Sequence, residues 1–231
     1  MEFVTLNSDG EVFKLEHKRR LLEKFLESKL LDYEILELML TYATRDDDTE
    51  FLADKLIKTF GGVHGLLTAP LEELESTGAL ARETAIFIKA IYEIILLDYK
   101  NYLEQAPIFN DTKVLKNYCQ LSLSGKTEEE FHVMYIDADN RLMSKELHSK
   151  GTVDHTTVYP REILKRAINI NAAAVVLVHN HTNVSASFST EDINATIRIM
   201  DMLRVVNILV CDHLLVAGGM VYSAREMHLL D

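Results

Sequence analysis

Seven consecutive apolar residues, all but Leu177 small or β-branched, run over 172–178 into His179-Asn180-His181, and no other stretch of the 231-residue chain limits the fold so tightly. An uninterrupted apolar run of this kind fits a buried strand better than a solvated helix. Residues two apart on an extended segment face the same side, so both imidazoles can reach one point just past the strand's end. Residues 182–188, mostly Ser, Thr, Asn and Ala, carry the chain away. Ser189-Thr190-Glu191-Asp192 then opens a segment in which Ile193, Ile197, Met200 and Leu203 have helical apolar spacing. A carboxylate in that first turn can fold back towards the histidines.

Two neutral imidazoles and one carboxylate, with a fourth position left to water, form the ligand set of a catalytic zinc site rather than a closed structural one. Iron and manganese also accept such a set. Each part has an ordinary reading as well. A bare His-x-His occurs as polar strand-end residues, and Ser189-x-x-Asp192 resembles a helix capping box in which Asp192 reaches back to the cap. Asp192 is not expected to serve both roles easily.

The spacing His179-x-His181, then Ser189 and Asp192, resembles the His-x-His-x(7)-Ser-x-x-Asp motif of the JAMM (MPN/JAB) metalloprotease fold. VYPREILKRAININAAAVVLVHNH (158–181) and CDHLLVAGG (211–219) are similar to its bacterial RadC-like branch. The resemblance implies one zinc per chain, held by His179, His181 and Asp192. It also implies Ser189 assisting at the oxyanion and an upstream Glu activating the attacking water. By offset from Phe131 and Asp137 that Glu is Glu129, with Glu130 next and Glu146 on the returning strand third. Strand neighbours face opposite sides, so only one of Glu129 and Glu130 can serve. The chain departs from the family at Thr182, Val184 and Phe188, where Pro, Gly and Pro usually shape the loop, so a less preorganised loop is expected.

Composition bounds the rest. The chain is 48% hydrophobic and 26% charged, which is ordinary for globular protein. No run is long enough to span a membrane and the N-terminus lacks a signal pattern, so a cytoplasmic protein is expected. Cys119 and Cys211 show no C-x-x-C spacing and read as buried thiols. Residues 1–106 hold 12 basic and 21 acidic side chains, and residues 107–231 hold 12 and 15. Neither half has the basic excess that phosphate contacts require, which counts against nucleic acid despite the patch at His17-Lys18-Arg19-Arg20.

The expected architecture is α+β in two domains. Residues 1–106 show helical spacing throughout, with turns at residues 45–48, Gly61-Gly62 and residues 68–70. They form a small all-α domain, and residues 71–90 sit where the RadC-like family carries a helix-hairpin-helix. The usual Pro-Gly-Ile-Gly is here Ser76-Thr77-Gly78-Ala79-Leu80, which keeps only one glycine and points to packing rather than phosphate binding. A linker is expected over residues 103–112. Beyond it, residues 107–231 read as a helix (113–123), a strand pair (131–137 and 141–151), a helix from Pro160 to Ile168 and the strand 172–178. A helix at 189–203, a strand at 205–210 and a hairpin at Gly218-Gly219 follow. That order agrees with a JAMM/MPN-like, cytidine-deaminase-like α/β sandwich.

Asp212-His213 has two readings, one supporting a metal-binding imidazole from behind and one satisfying itself beneath the sheet. The function expected from the resemblance is zinc-dependent hydrolysis of a peptide, isopeptide or related amide bond. Two alternatives share the fold: a catalytically silent MPN interaction module, and a DNA-repair-associated protein that binds nucleic acid through the N-terminal domain. Self-association is left open.

Overall fold

The structure, a computed structural model, describes residues 8–44, 48–151, 158–182 and 187–230, with side chains from residue 16 onward. Val184, His155 and most of the turn expected at residues 45–48 lie outside the described residues. The protein is mixed helix and sheet, with helices first and an α/β domain after them.

The chain divides into two compact units, Met1–Tyr92 and Glu93–Asp231. In the first, α1 (Ser8–Leu26), α2 (Asp32–Ala43), α3 (Thr49–Phe60), α4 (Val63–Thr68) and α5 (Leu71–Ser76) precede the start of α6 (Arg82–Gln105). The short α4 occupies a stretch between two expected turns. Leu36, Leu40, Leu56, Leu66, Leu74 and Ile88 build the core of this unit. Gly61 closes α3 at φ 71°, and Gly78 turns the α5–α6 corner at φ 60°, backbone conformations that favour glycine.

The division between units falls inside α6, upstream of the boundary expected between residues 106 and 107. The expected linker is packed rather than free. Leu103 on α6 and Ile108 just beyond it are both fully buried in the C-terminal core, so this segment belongs to the second unit.

That unit continues with α7 (Thr112–Leu123), β1 (Glu129–Ile136), β2 (Leu142–Gly151), α8 (Pro160–Asn169), β3 (Ala174–Asn180), α9 (Thr190–Arg204), β4 (Leu209–Ala217) and β5 (Met220–Ser223). The sheet order is β2-β1-β3-β4-β5. Every pairing is antiparallel except β3 with β4, which the α9 crossover makes parallel. Alternation along the strands splits the core in two. Met134, Val176 and Val178 pack under α7, whereas Val133, Val175 and Leu177 pack under α8 and α9. Burial on both faces explains why β3 is apolar without interruption.

Three expectations shift. The central strand spans Ala174–Asn180 rather than 172–178, so His179 lies within it. The last long strand starts at Leu209, because Asn207 at φ 58° breaks the chain after α9. The buried face of α9 is Thr196, Ile199 and Leu203, while Ile197 is exposed. Turning Asp192 towards the sheet selects the positions four, seven and eleven residues after it, so of the expected stripe Leu203 is buried and Met200 packs against the core while Ile197 is turned out.

Candidate metal centre

The parallel ladder between β3 and β4 fixes the two histidines. The Leu177↔His213, Val178↔Leu214 and His179↔Leu215 pairs continue into a bond from the His181 N–H to the Val216 carbonyl, 3.0 Å. The backbone is therefore still held in place at His181, and both imidazoles project from one face. Their Nε2 atoms lie 3.1 Å apart. His179 is 5% exposed and His181 is half-buried.

The carboxylate arrives from α9. Ser189 caps this helix: its Oγ accepts the Asp192 N–H at 3.0 Å, while Asp192 Oδ2 accepts the Ser189 N–H at 2.8 Å and its hydroxyl at 2.7 Å. The same carboxylate places Oδ1 3.5 Å from His179 Nε2 and Oδ2 3.5 Å from His181 Nε2. The expected competition between cap and metal ligand does not arise. A carboxylate has two oxygens with about four lone-pair sites, so one edge closes the box while both oxygens still face the imidazoles. Burial disfavours the ionised carboxyl, but the facing His179 and His181 imidazoles and the bond from Ser189 outweigh it and hold Asp192 well below the usual carboxylate range.

His179, His181 and Asp192 each offer a ligand atom, all within 4.8 Å of one another. Two tetrahedral ligands about 2.0–2.1 Å from zinc are separated by about 3.3 Å. The observed separations of 3.1, 3.5 and 3.5 Å bracket that value. Among the described residues no lysine or arginine pairs with Asp192, so the two imidazoles and the carboxylate could hold a metal without displacing a protein cation.

The residues behind the trio are aromatic or fully buried. The His213 ring is 0% exposed, with Nε2 2.8 Å from His179 Nδ1 and Nδ1 2.6 Å from Thr196 Oγ1. Burial, and then the neighbouring His179, hold His213 well below the ordinary imidazole value. Asp212 is not its partner through the ring. That carboxylate accepts the backbone N–H groups of His213 and Arg225 and the Ser223 hydroxyl. Of the two readings of Asp212-His213, the histidine turns towards the site and the aspartate satisfies itself elsewhere. Phe188, where the family carries Pro, sets its ring 5.8 Å from that of His179 and 5.2 Å from that of His213.

Among the candidate bases, the β1–β3 register separates Glu129 from Glu130. Phe131 is paired with His179, so Glu129, two residues before Phe131, shares that face at the strand's start. Glu130 is on the other face. Its carboxylate bonds His132 at 2.9 Å and lies 3.6 Å from Lys126 and 3.8 Å from Lys150. Glu146 is engaged by Arg166 at 2.5 and 2.8 Å. Thr196 went unnoticed in the sequence. Its signal is a hydroxyl four residues after Asp192, on the helix face that must be buried.

A second group, His17, Glu37 and Glu50, also brings ligand atoms within 4.8 Å. There the imidazole already pairs with the buried Glu37 across α1 and α2 at 2.5 Å, and Glu50 is exposed. That arrangement docks one helix on another.

Comparison with known proteins agrees with the geometry. The family model described as the RadC-like JAB domain matches residues 109–229. A UPF0758 protein of Ruegeria pomeroyi is 33% identical over 213 residues, covering 91% of this chain and 95% of that protein. A UPF0758 protein of Methylibium petroleiphilum is 37% identical over 201 residues, covering 87% and 90%.

Proposed function

The chain belongs to the RadC-like JAB domain family, and from that premise we propose that it is a zinc-dependent hydrolase of JAMM type, cleaving a peptide, isopeptide or related amide bond. One observation carries the reading. Two imidazole nitrogens and a carboxylate, with no protein cation among them, face one another at the separations of tetrahedral ligands. His179, His181 and Asp192 would hold the ion. When bound, zinc supplies Lewis acidity, polarising a carbonyl and bringing the ionisation of water to near neutral pH.

The chain's own groups supply the rest. Glu129, on the histidine face of β1, takes the proton of the attacking water and passes it to the leaving amine, a role that requires the carboxylate to be ionised at working pH. Ser189 donates its hydroxyl to the developing oxyanion, exchanging the bond it now makes to Asp192 Oδ2. The preference for an amide bond follows from the JAMM resemblance. Phe188, packed beside His179, favours a second reading in which the fold binds metal but serves as an interaction module.

Elemental analysis of protein purified without chelator or metal-binding tag tests the first step. The expected result is about one zinc per chain, lost in both His181→Ala and Asp192→Ala. Absence of metal, with no uptake on titration, would sink the hydrolase reading. A panel of peptides and isopeptide-linked conjugates then separates the two readings. Turnover that falls about 100-fold or more in Glu129→Gln, with zinc retained, supports the hydrolase. Metal without turnover on any member supports the interaction module.

A further inference from the structure

A hydrogen-bond chain leaves the backbone of Asp192 and ends on the imidazole that faces its side chain. The Thr196 hydroxyl donates to the Asp192 carbonyl at 2.7 Å. A hydroxyl has one hydrogen, so towards His213 Nδ1, 2.6 Å away, Thr196 Oγ1 can only accept. The His213 ring therefore carries its hydrogen on Nδ1. With that hydrogen on Nδ1, the fully buried ring can present a bare Nε2 to His179 Nδ1 at 2.8 Å. That nitrogen must in turn be the donor, and the one imidazole position of His179 without a hydrogen is Nε2, the atom 3.5 Å from Asp192 Oδ1 and 3.1 Å from His181 Nε2.

We propose that Thr196 and His213 are positioning residues that fix His179 in the tautomer with Nε2 bare, so that the metal-facing lone pair is set before any ion arrives. Neutral imidazole otherwise divides between two tautomers, and only one can ligate through Nε2. A ligating histidine is ordinarily steadied by a carboxylate, a backbone carbonyl or water. Here a second, fully buried histidine does it, and its own orientation is set by a helix threonine. Because the chain starts at the Asp192 carbonyl and ends at the imidazole facing the Asp192 carboxylate, one turn of α9 ties the carboxylate ligand to the tautomer of the first imidazole. His213 has neither nitrogen left over and is not itself a ligand.

The inference rests on the metal reading for its purpose but not for its test. Two-bond proton–nitrogen correlation spectra of nitrogen-15-labelled, metal-free protein read the tautomers directly. Both His179 and His213 are expected as Nδ1–H forms, and Thr196→Val, which keeps the shape and removes the hydroxyl, is expected to mix them. Thr196→Ser restores the single form. Zinc affinity, measured by competition with a chelating dye, is expected to fall about 10-fold in Thr196→Val and up to about 100-fold in His213→Ala, with Thr196→Ser near the parent. An Nε2–H tautomer at His179 in the parent protein overturns the proposal. So does Thr196→Val with unchanged tautomers and zinc affinity, even if its metal-free form melts earlier, because that pattern marks a packing role alone. Correct tautomers in a protein that takes up no zinc would uphold the relay and overturn the metal reading instead.

Discussion

At the end of the sheet where β1 begins and β3 stops, one face carries His179, His181 and Asp192, and the other carries Glu130, His132, Lys126 and Lys150. Alternation along β3 sends His179 one way and Asn180 the other, and along β1 it sends Glu129 and Glu130 to opposite faces. Asn180 stitches β1 to β3 by accepting the Glu130 N–H at 2.9 Å and donating to the Glu128 carbonyl at 3.1 Å. Beneath α7 the buried carboxylate finds its counter-charge within the protein, in two lysines, and a hydrogen-bond partner in an imidazole. Beneath α9 the carboxylate meets two imidazoles and the Ser189 cap, with no lysine or arginine among the described residues. Carboxylate and histidine in close contact do not by themselves mark a metal centre; the supply of protein cations tells the two faces apart.

The largest expected effect tests that contrast directly. Zinc at about 1,000 times its dissociation constant should raise stability by about 4 kcal/mol, read as a shift in the urea unfolding midpoint. His181→Ala should abolish the shift and Glu130→Gln should leave it intact. A loss of the shift in Glu130→Gln would break the comparison.

A smaller effect falls on the opposite face. Glu130 is 6% exposed and anchors His132, so Glu130→Gln should cost about 1–3 kcal/mol of stability in chemical denaturation. It should leave turnover of any substrate found unchanged. If Glu130→Gln removed turnover and Glu129→Gln did not, the assignment of faces would be reversed.

The same face should contribute to the protein's pH sensitivity. Burial, then Lys145, push His132 down to about 4, against a value of about 6.5 when unfolded. Between these values the unfolded chain binds a proton that the folded one does not, so stability falls as the pH drops from about 6.5 to about 4 and this contribution then levels off. For Glu130, burial opposes ionisation, but His132, Lys126 and Lys150 prevail and hold the carboxyl below its ordinary value. That adds a further loss in the same direction once the pH passes below about 4.3. His132→Gln should flatten the upper part of the profile by on the order of 1 kcal/mol, measured as unfolding midpoints from pH 7 to pH 4.

The smallest effect concerns Phe188, whose ring contacts with His179 and His213 are each worth about 0.5–1.5 kcal/mol. Phe188→Ala should lower stability by about 1 kcal/mol and leave zinc stoichiometry unchanged. Loss of zinc in that variant would mean that the ring, rather than the buried relay, holds His179 in place.

Much of this was legible in residues close together in sequence. The apolar run before His179, the two-residue step to His181 and the Ser-x-x-Asp cap are local patterns, and each appears in the fold as a strand, a shared face and a helix start. The proline at the first turn of α8 and the glycine hairpin between β4 and β5 were local too. Less legible was the rotation of α9, because Ile193, Ile197 and Met200 make as good a helical stripe as the one that is buried. Choosing between them required knowing that Asp192 faces the sheet.

The sequence determined which residues must share a face, since the periods of strand and helix are set by backbone geometry and travel with the chain. It thereby determined that His179 and His181 point together and that Ser189 caps the helix bearing Asp192. Tertiary structure alone decided which distant groups those faces would meet. The register of β1 on β3 put Glu129 on the histidine side and Glu130 against the lysines, and the α9 crossover brought Thr196 to His213 and His213 to His179. Such pairings depend on which strands are neighbours, and a period of two or 3.6 residues carries no information about a partner 17 or 34 residues away.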